Sequence, residues 1–173
     1  MVILAKDETE IQATVSDFDA HPNLLNVENG VIDLSTGELL PHSRELLLTR
    51  CLPISYDPAA ECPIFEAFLD RIFSENQDLI DYLQRAVGYS LTGETSEQVF
   101  FICHGEGANG KSTLLETLHE LLGDLAGTIR TEALMQHRHS GGSGHNDDIA
   151  NLLGKRFVSA AETEDGQHFA EIA

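Results

Sequence analysis

The chain has 173 residues, of which 42% are hydrophobic, and ten Lys plus Arg face 29 Asp plus Glu for a formal charge of −19. That length holds one or two small domains, and no apolar run is long enough to span a membrane. The acidity repels a nucleic-acid backbone on average, so a DNA-handling role needs a local basic site or basic elements outside this chain.

The opening Met1-Val2-Ile3-Leu4-Ala5 meets Lys6-Asp7-Glu8 too early for the apolar core of a secretory signal. Cys51, Cys62 and Cys103 are scattered and odd in number, which favours a reducing cytoplasm over a disulfide framework. After an acidic, weakly patterned stretch from Lys6 to Asp19, short strand signals begin. Leu24–Val27 and Val31–Leu34 flank Glu28-Asn29-Gly30, and Asn-Gly is the strongest short hairpin signal. Ser35-Thr36-Gly37 makes a second turn before Glu38–Pro41, and Leu46–Thr49 reads as a further strand. Together these predict a small β-meander.

Two helices are expected next. Pro63 suits a first helical turn, with Ile64, Phe65, Phe68, Leu69, Ile72 and Phe73 as its apolar face. Ser74-Glu75-Asn76-Gln77 has capping-box spacing for the second, whose core face is Leu79, Ile80, Leu83, Ala86 and Val87 and which Gly88 can end. Thr92–Ser96 is a short polar linker. The predicted division is therefore an α+β domain over 1–95 and a nucleotide-binding unit over 96–173.

Residues 105–112 read Gly105-Glu106-Gly107-Ala108-Asn109-Gly110-Lys111-Ser112, or G-x-x-x-x-G-K-S. Glycines let the backbone curl its N–H groups onto phosphate oxygens, Lys111 can reach the β- and γ-phosphates, and the Ser112 hydroxyl can ligate Mg²⁺. Such a loop should follow a strand and open a helix. Gln98–Cys103 reads as a buried strand, and Leu114, Leu115, Leu118, Leu121 and Leu122 lie on one helical face ahead of Gly123. A nucleoside triphosphate with Mg²⁺ is the ligand this spacing implies.

Beyond that helix, Thr131–Met135 begins like a capped short helix. His137, His139 and His145 stand in a glycine-rich loop with no zinc-type spacing. Asn146 suits a cap for a helix over Asp147–Leu153, with Gly154 at its end. Lys155–Ala161 is a hydrophobic strand running into Glu162 and Glu164, the pattern of a Walker B acid that manages Mg²⁺ or orients the attacking water.

These motifs together resemble the phage and plasmid primase–helicases of the superfamily 3 group, which includes poxvirus relatives. The resemblance is carried by Leu25–Leu34 with Thr36–Leu39, by Tyr56-Asp57-Pro58 with Cys62-Pro63, by Gly88–Gly93, by Gly107–Thr113, and by Ala150–Phe157 with Glu162. It implies a truncated, AAA+-like P-loop core behind a small α+β domain, in α/β class. It also implies an ATP-driven replicative DNA helicase working as a ring, a hexamer in the full-length protein. Gly105, Gly107, Ala108, Asn109, Gly110, Lys111, Ser112 and Thr113 would bind nucleotide. Lys111, Glu162 and Glu164 would be catalytic, and Ser112 and Glu162 would hold the metal. Single- or double-stranded DNA would be met by parts mostly outside this chain. The family's sensor strand, DNA-contacting hairpin and arginine finger have no counterpart here, nor has its primase domain, so the chain reads as a fragment. The alternatives are a non-catalytic nucleotide-binding or self-association module and, third, a small-molecule P-loop kinase.

Overall fold

The computed structural model describes residues 13–131 and 149–160. Helix and sheet are mixed throughout, as an α/β class requires. The predicted meander forms from three antiparallel strands, β1 (Leu24–Val27), β2 (Gly30–Asp33) and β3 (Glu38–Leu40), in that spatial order. The first turn consists of Glu28 and Asn29, because Val27 already pairs with Gly30. Gly30 is therefore a strand residue, and its lack of a side chain matters there: a Cβ would stand 2.5 Å from the Leu40 carbonyl oxygen of β3. Asn29 instead clamps the following loop, donating Nδ2 to Tyr56 O at 2.8 Å and accepting from Tyr56 N at 2.9 Å.

The second turn is closed by Asp33, which accepts from Ser35 N at 2.9 Å and from the Ser35 hydroxyl. Leu46–Thr49 is not a strand. Arg44–Leu46 makes a single 3₁₀ turn, capped by the Ser43 hydroxyl and ended by Leu47 in the left-handed region. The free edge of β1 is taken by Leu52 instead: Leu52 N donates to Asn26 O at 2.9 Å, and Val27 and Leu52 form a parallel bridge.

Helix α1 (Pro63–Ile72) starts at the expected proline. Helix α2 (Gln77–Leu91) is capped by Asn76, whose side chain accepts from Leu79 N. It continues through Gly88 for three more residues, since a glycine inside a helix costs only about 1 kcal/mol. Neither helix contains a fully buried residue, and Ile64, expected on the inner face of α1, is 88% exposed.

Helix α3 (Lys111–Leu122) buries Leu114, Leu118 and Leu122 and ends at Gly123, as its pattern predicts. A 3₁₀ turn over Gly123–Leu125 leads into β4 (Ala126–Ile129), which pairs in parallel with β5 (Phe157–Ala160). β4 has no clear signal in the sequence, because four residues containing a glycine show too little periodicity. Gly154 ends the preceding turns with φ +75°, the left-handed conformation glycine adopts without penalty.

The core joins the two halves of the chain. Leu25, Val27, Ile32 and Leu52 from the meander pack with Leu122, Leu125 and Ala126, and Leu91 and Phe157 cover the cluster. No helix among the described residues is long and apolar enough to cross a membrane. All three cysteines are free and exposed.

Candidate nucleotide-binding site

The glycine-rich loop lies ahead of α3, and its residues are shaped for a tight curl. Ala108 and Gly110 have φ of +58° and +87°, both in the left-handed region. At Gly110 the requirement is double. A Cβ there would come 2.7 Å from Ile72 Cγ2 and 3.1 Å from Phe68 Cε2, so α1 backs directly onto the loop. At Gly105 a Cβ would meet Asn109 Nδ2. At Gly107 it would meet nothing within 4 Å, so that glycine answers to no packing demand of the protein itself.

Lys111 is the first residue of α3, and its ammonium folds back over the loop. Nζ donates to Gly105 O at 2.7 Å, to Asn109 Oδ1 at 3.1 Å and to Glu106 O at 3.3 Å. These partners are neutral, so the positive charge is held at the loop without a carboxylate among the described residues. Ser112 and Thr113 are exposed on the first turn, and the Ser112 hydroxyl makes no hydrogen bond among the described residues. A free hydroxyl beside a lysine at a helix start is a hard oxygen donor available to Mg²⁺. Among the described residues no group of three or more His, Cys, Asp or Glu could hold a metal.

The segment entering the loop departs from expectation. Gln98–Cys103 is irregular, and Val99, Phe100 and Ile102 are 56%, 70% and 70% exposed. An apolar run becomes a strand only when a neighbouring strand satisfies its N–H and C=O groups, and β4 and β5 pair with each other. The segment is held by α2 instead, through an edge contact between Tyr82 and Phe101 with ring centroids 6.2 Å apart.

β5 ends at Ala160, two residues short of Glu162. Glu162 and Glu164 lie outside the described residues, as do His137, His139, His145 and the helix cap Asn146. What the structure does bring to this strand is His119, a residue no motif marks. From α3 its Nε2 lies 2.8 Å from the Ser159 hydroxyl of β5, and its ring meets Phe157 edge-on at 5.3 Å. The helix that opens with Lys111 is thus tied by a polar contact to the strand that leads toward Glu162. Its eight-residue offset from Lys111 is the one sequence clue, since it sets both on the same helix two turns apart.

With this geometry in place, the comparisons with known proteins bear on it. Residues 1–74 match the family model described as D5 N terminal like. A protein of Acanthamoeba polyphaga mimivirus named "Putative helicase L207/L206" is 29% identical to this chain over 144 residues. That similarity covers 81% of the chain but 15% of the mimivirus protein, so the chain spans a small part of the relative's length.

Proposed function

We propose that this chain is the ATP-binding part of a primase–helicase-type protein, with Gly105–Thr113 as its phosphate loop. The observation that carries the reading is Lys111: an uncompensated ammonium at a helix start, resting on carbonyl oxygens of a loop curled by Gly105, Ala108 and Gly110. Those contacts are replaceable, because a triphosphate offers the same ammonium anionic oxygens and charge-assisted bonds are stronger than neutral ones. The N-terminal family match and the helicase relative support the class of protein.

In this reading the loop and Lys111 hold the β- and γ-phosphates, and Ser112 and Glu162 hold Mg²⁺. When bound there, Mg²⁺ would supply neutralisation of the phosphoryl charge. Glu162 or Glu164 orients the attacking water. His119 fixes the strand before them against α3 through Ser159. Unwinding of DNA and assembly into a ring are proposals for the longer protein, in which a neighbouring subunit supplies a basic residue.

The test is Mg²⁺–ATP affinity and steady-state turnover of the chain beside Lys111→Ala. Loss of about tenfold or more in affinity, equivalent to roughly 1.4 kcal/mol, with an unchanged circular dichroism spectrum is the expected result. Equal affinity in the variant sinks the phosphate-loop assignment.

A further inference from the structure

A cleft of mixed lining lies away from the glycine-rich loop, where the meander meets the β4–β5 sheet. Its volume is about 490 Å³, within the range of small-ligand sites, and no residue of Gly105–Thr113 lines it. Arg50, Lys155 and Arg156 all line it, three of the ten Lys and Arg in a chain with 29 acids. In so acidic a protein each would be expected to find a carboxylate. None is salt-bridged among the described residues. Asp19, also on the wall, gives its carboxylate to Thr49, through the backbone N–H at 2.7 Å and through the hydroxyl.

The cations bond backbone carbonyls instead. Arg50 donates to Asp124 O, Leu153 O and Gly154 O, Lys155 to Asp124 O, and Arg156 to Leu91 O and Leu24 O. Carbonyls orient these groups without cancelling their charge. A guanidinium has five N–H donors and an ammonium three, so each keeps donors to spare. Burial lowers the Arg156 pKa most; the Asp19 carboxylate raises it and the Arg50 guanidinium lowers it further, so the counter-charge offsets only part of the desolvation. Asn26, also on the wall, donates Nδ2 to Arg50 O at 3.0 Å and so holds the chain that carries the Arg50 guanidinium.

We propose that this cleft binds a phosphate ester, with the anion on Arg50, Lys155 and Arg156. A small sugar phosphate and the phosphorylated end of a nucleic-acid strand share that chemistry. The site is independent of the nucleotide-binding reading, and the test keeps them apart by using the Lys111→Ala background.

In that background, ribose 5-phosphate is titrated into ¹⁵N-labelled chain. Saturable shifts of the Asn26 side-chain amide and the Lys155 and Arg156 backbone amides are expected, weakened roughly five- to tenfold by Lys155→Gln, about the worth of one charge-assisted bond. Lys155 makes a single exposed hydrogen bond, so that variant keeps the fold, and its thermal midpoint checks this. Shifts confined to other regions, or an affinity unchanged by Lys155→Gln, overturn the proposal. A 5′-phosphorylated oligothymidylate that binds the same amides tighter than ribose 5-phosphate, and tighter than its 5′-hydroxyl counterpart, identifies a strand end. Equal or weaker binding identifies the small ester. Either upholds the cleft.

Discussion

β1 and the segment Gln98–Cys103 look alike as sequence and differ as structure. Both are short apolar runs next to a glycine-bearing turn. In β1, Leu25 and Val27 are 5% and 0% exposed, with β2 on one edge and Leu52 on the other. In the second segment Val99 and Ile102 are 56% and 70% exposed. Hydrophobicity drives burial, but it does not supply ladder partners. A run with a hairpin beside it in sequence brings its own partner. One whose partners are distant in sequence depends on the rest of the sheet.

The widest contrast to test is in stability. Leu122→Ala removes a side chain that is 1% exposed and sits where meander and helix α3 share a core. It should cost about 2–5 kcal/mol by urea denaturation. Val99→Ala, in the irregular and exposed run, should cost under about 0.5 kcal/mol. A comparable loss at Val99 would mean that this segment is buried in solution and that the contrast with β1 is false.

The same core shows what the sequence could and could not reveal. Helix α3 was legible because Leu114, Leu118 and Leu122 repeat at helical spacing and Gly123 follows. The meander was legible because turn residues sit between alternating strands. The contacts that join them were not. Nothing local in Leu52, Leu122 or Ala126 says that they meet, because side chains some seventy positions apart share no periodicity. The glycine-rich loop was fully legible as a motif, yet its backing by Phe68 and Ile72 of α1 was not. Glu162 and Glu164 were legible as a strand-end acidic pattern, and both lie outside the described residues.

The loop offers a sharper, smaller contrast. Gly110 has φ +87° and α1 against its back, whereas a Cβ at Gly107 enters open space. Gly110→Ala should destabilise by about 1–3 kcal/mol, the usual scale for a strained backbone. Gly107→Ala should leave the thermal midpoint nearly unchanged. If Gly107→Ala nonetheless weakens Mg²⁺–ATP binding, that open space belongs to the ligand. If it alters neither property, Gly107 has no part in the site.

His119 sets the next rung. His119→Ala removes the hydrogen bond to Ser159 and the ring contact with Phe157, which together should be worth about 1–2 kcal/mol. Ser159→Ala removes the hydrogen bond without the ring contact and should cost less, about 0.5–1.5 kcal/mol. The double variant should then cost less than the sum of the two, since both report one bond. Strict additivity would show that His119 and Ser159 do not interact, leaving α3 and β5 joined by apolar contact.

The smallest effect concerns how the meander secures its own strands. The Ser35 hydroxyl and N–H, and then the Thr36 N–H, donate to Asp33 and hold its carboxyl below the ordinary value of 3.8. A lowered folded pKa means the unfolded chain takes up its proton first as pH falls. The turn's stabilisation is therefore complete above pH 3.8 and is lost as pH drops through the folded value. Ser35→Ala removes the hydroxyl that does most to hold the carboxylate ionised and should move the Asp33 titration, followed by carboxyl NMR, back toward the ordinary value. The hydrogen bonds from Ser35 to Asp33 are exposed, so global stability should hardly respond. Amide exchange at residues 35 and 36 should also change little, because both N–H groups keep their Asp33 acceptors. An unshifted Asp33 in the wild type would mean that β2 and β3 are aligned by their ladder and the Gly37 turn alone. The meander would then owe its closure to ladder pairing, whereas Gln98–Cys103 belongs to neither sheet.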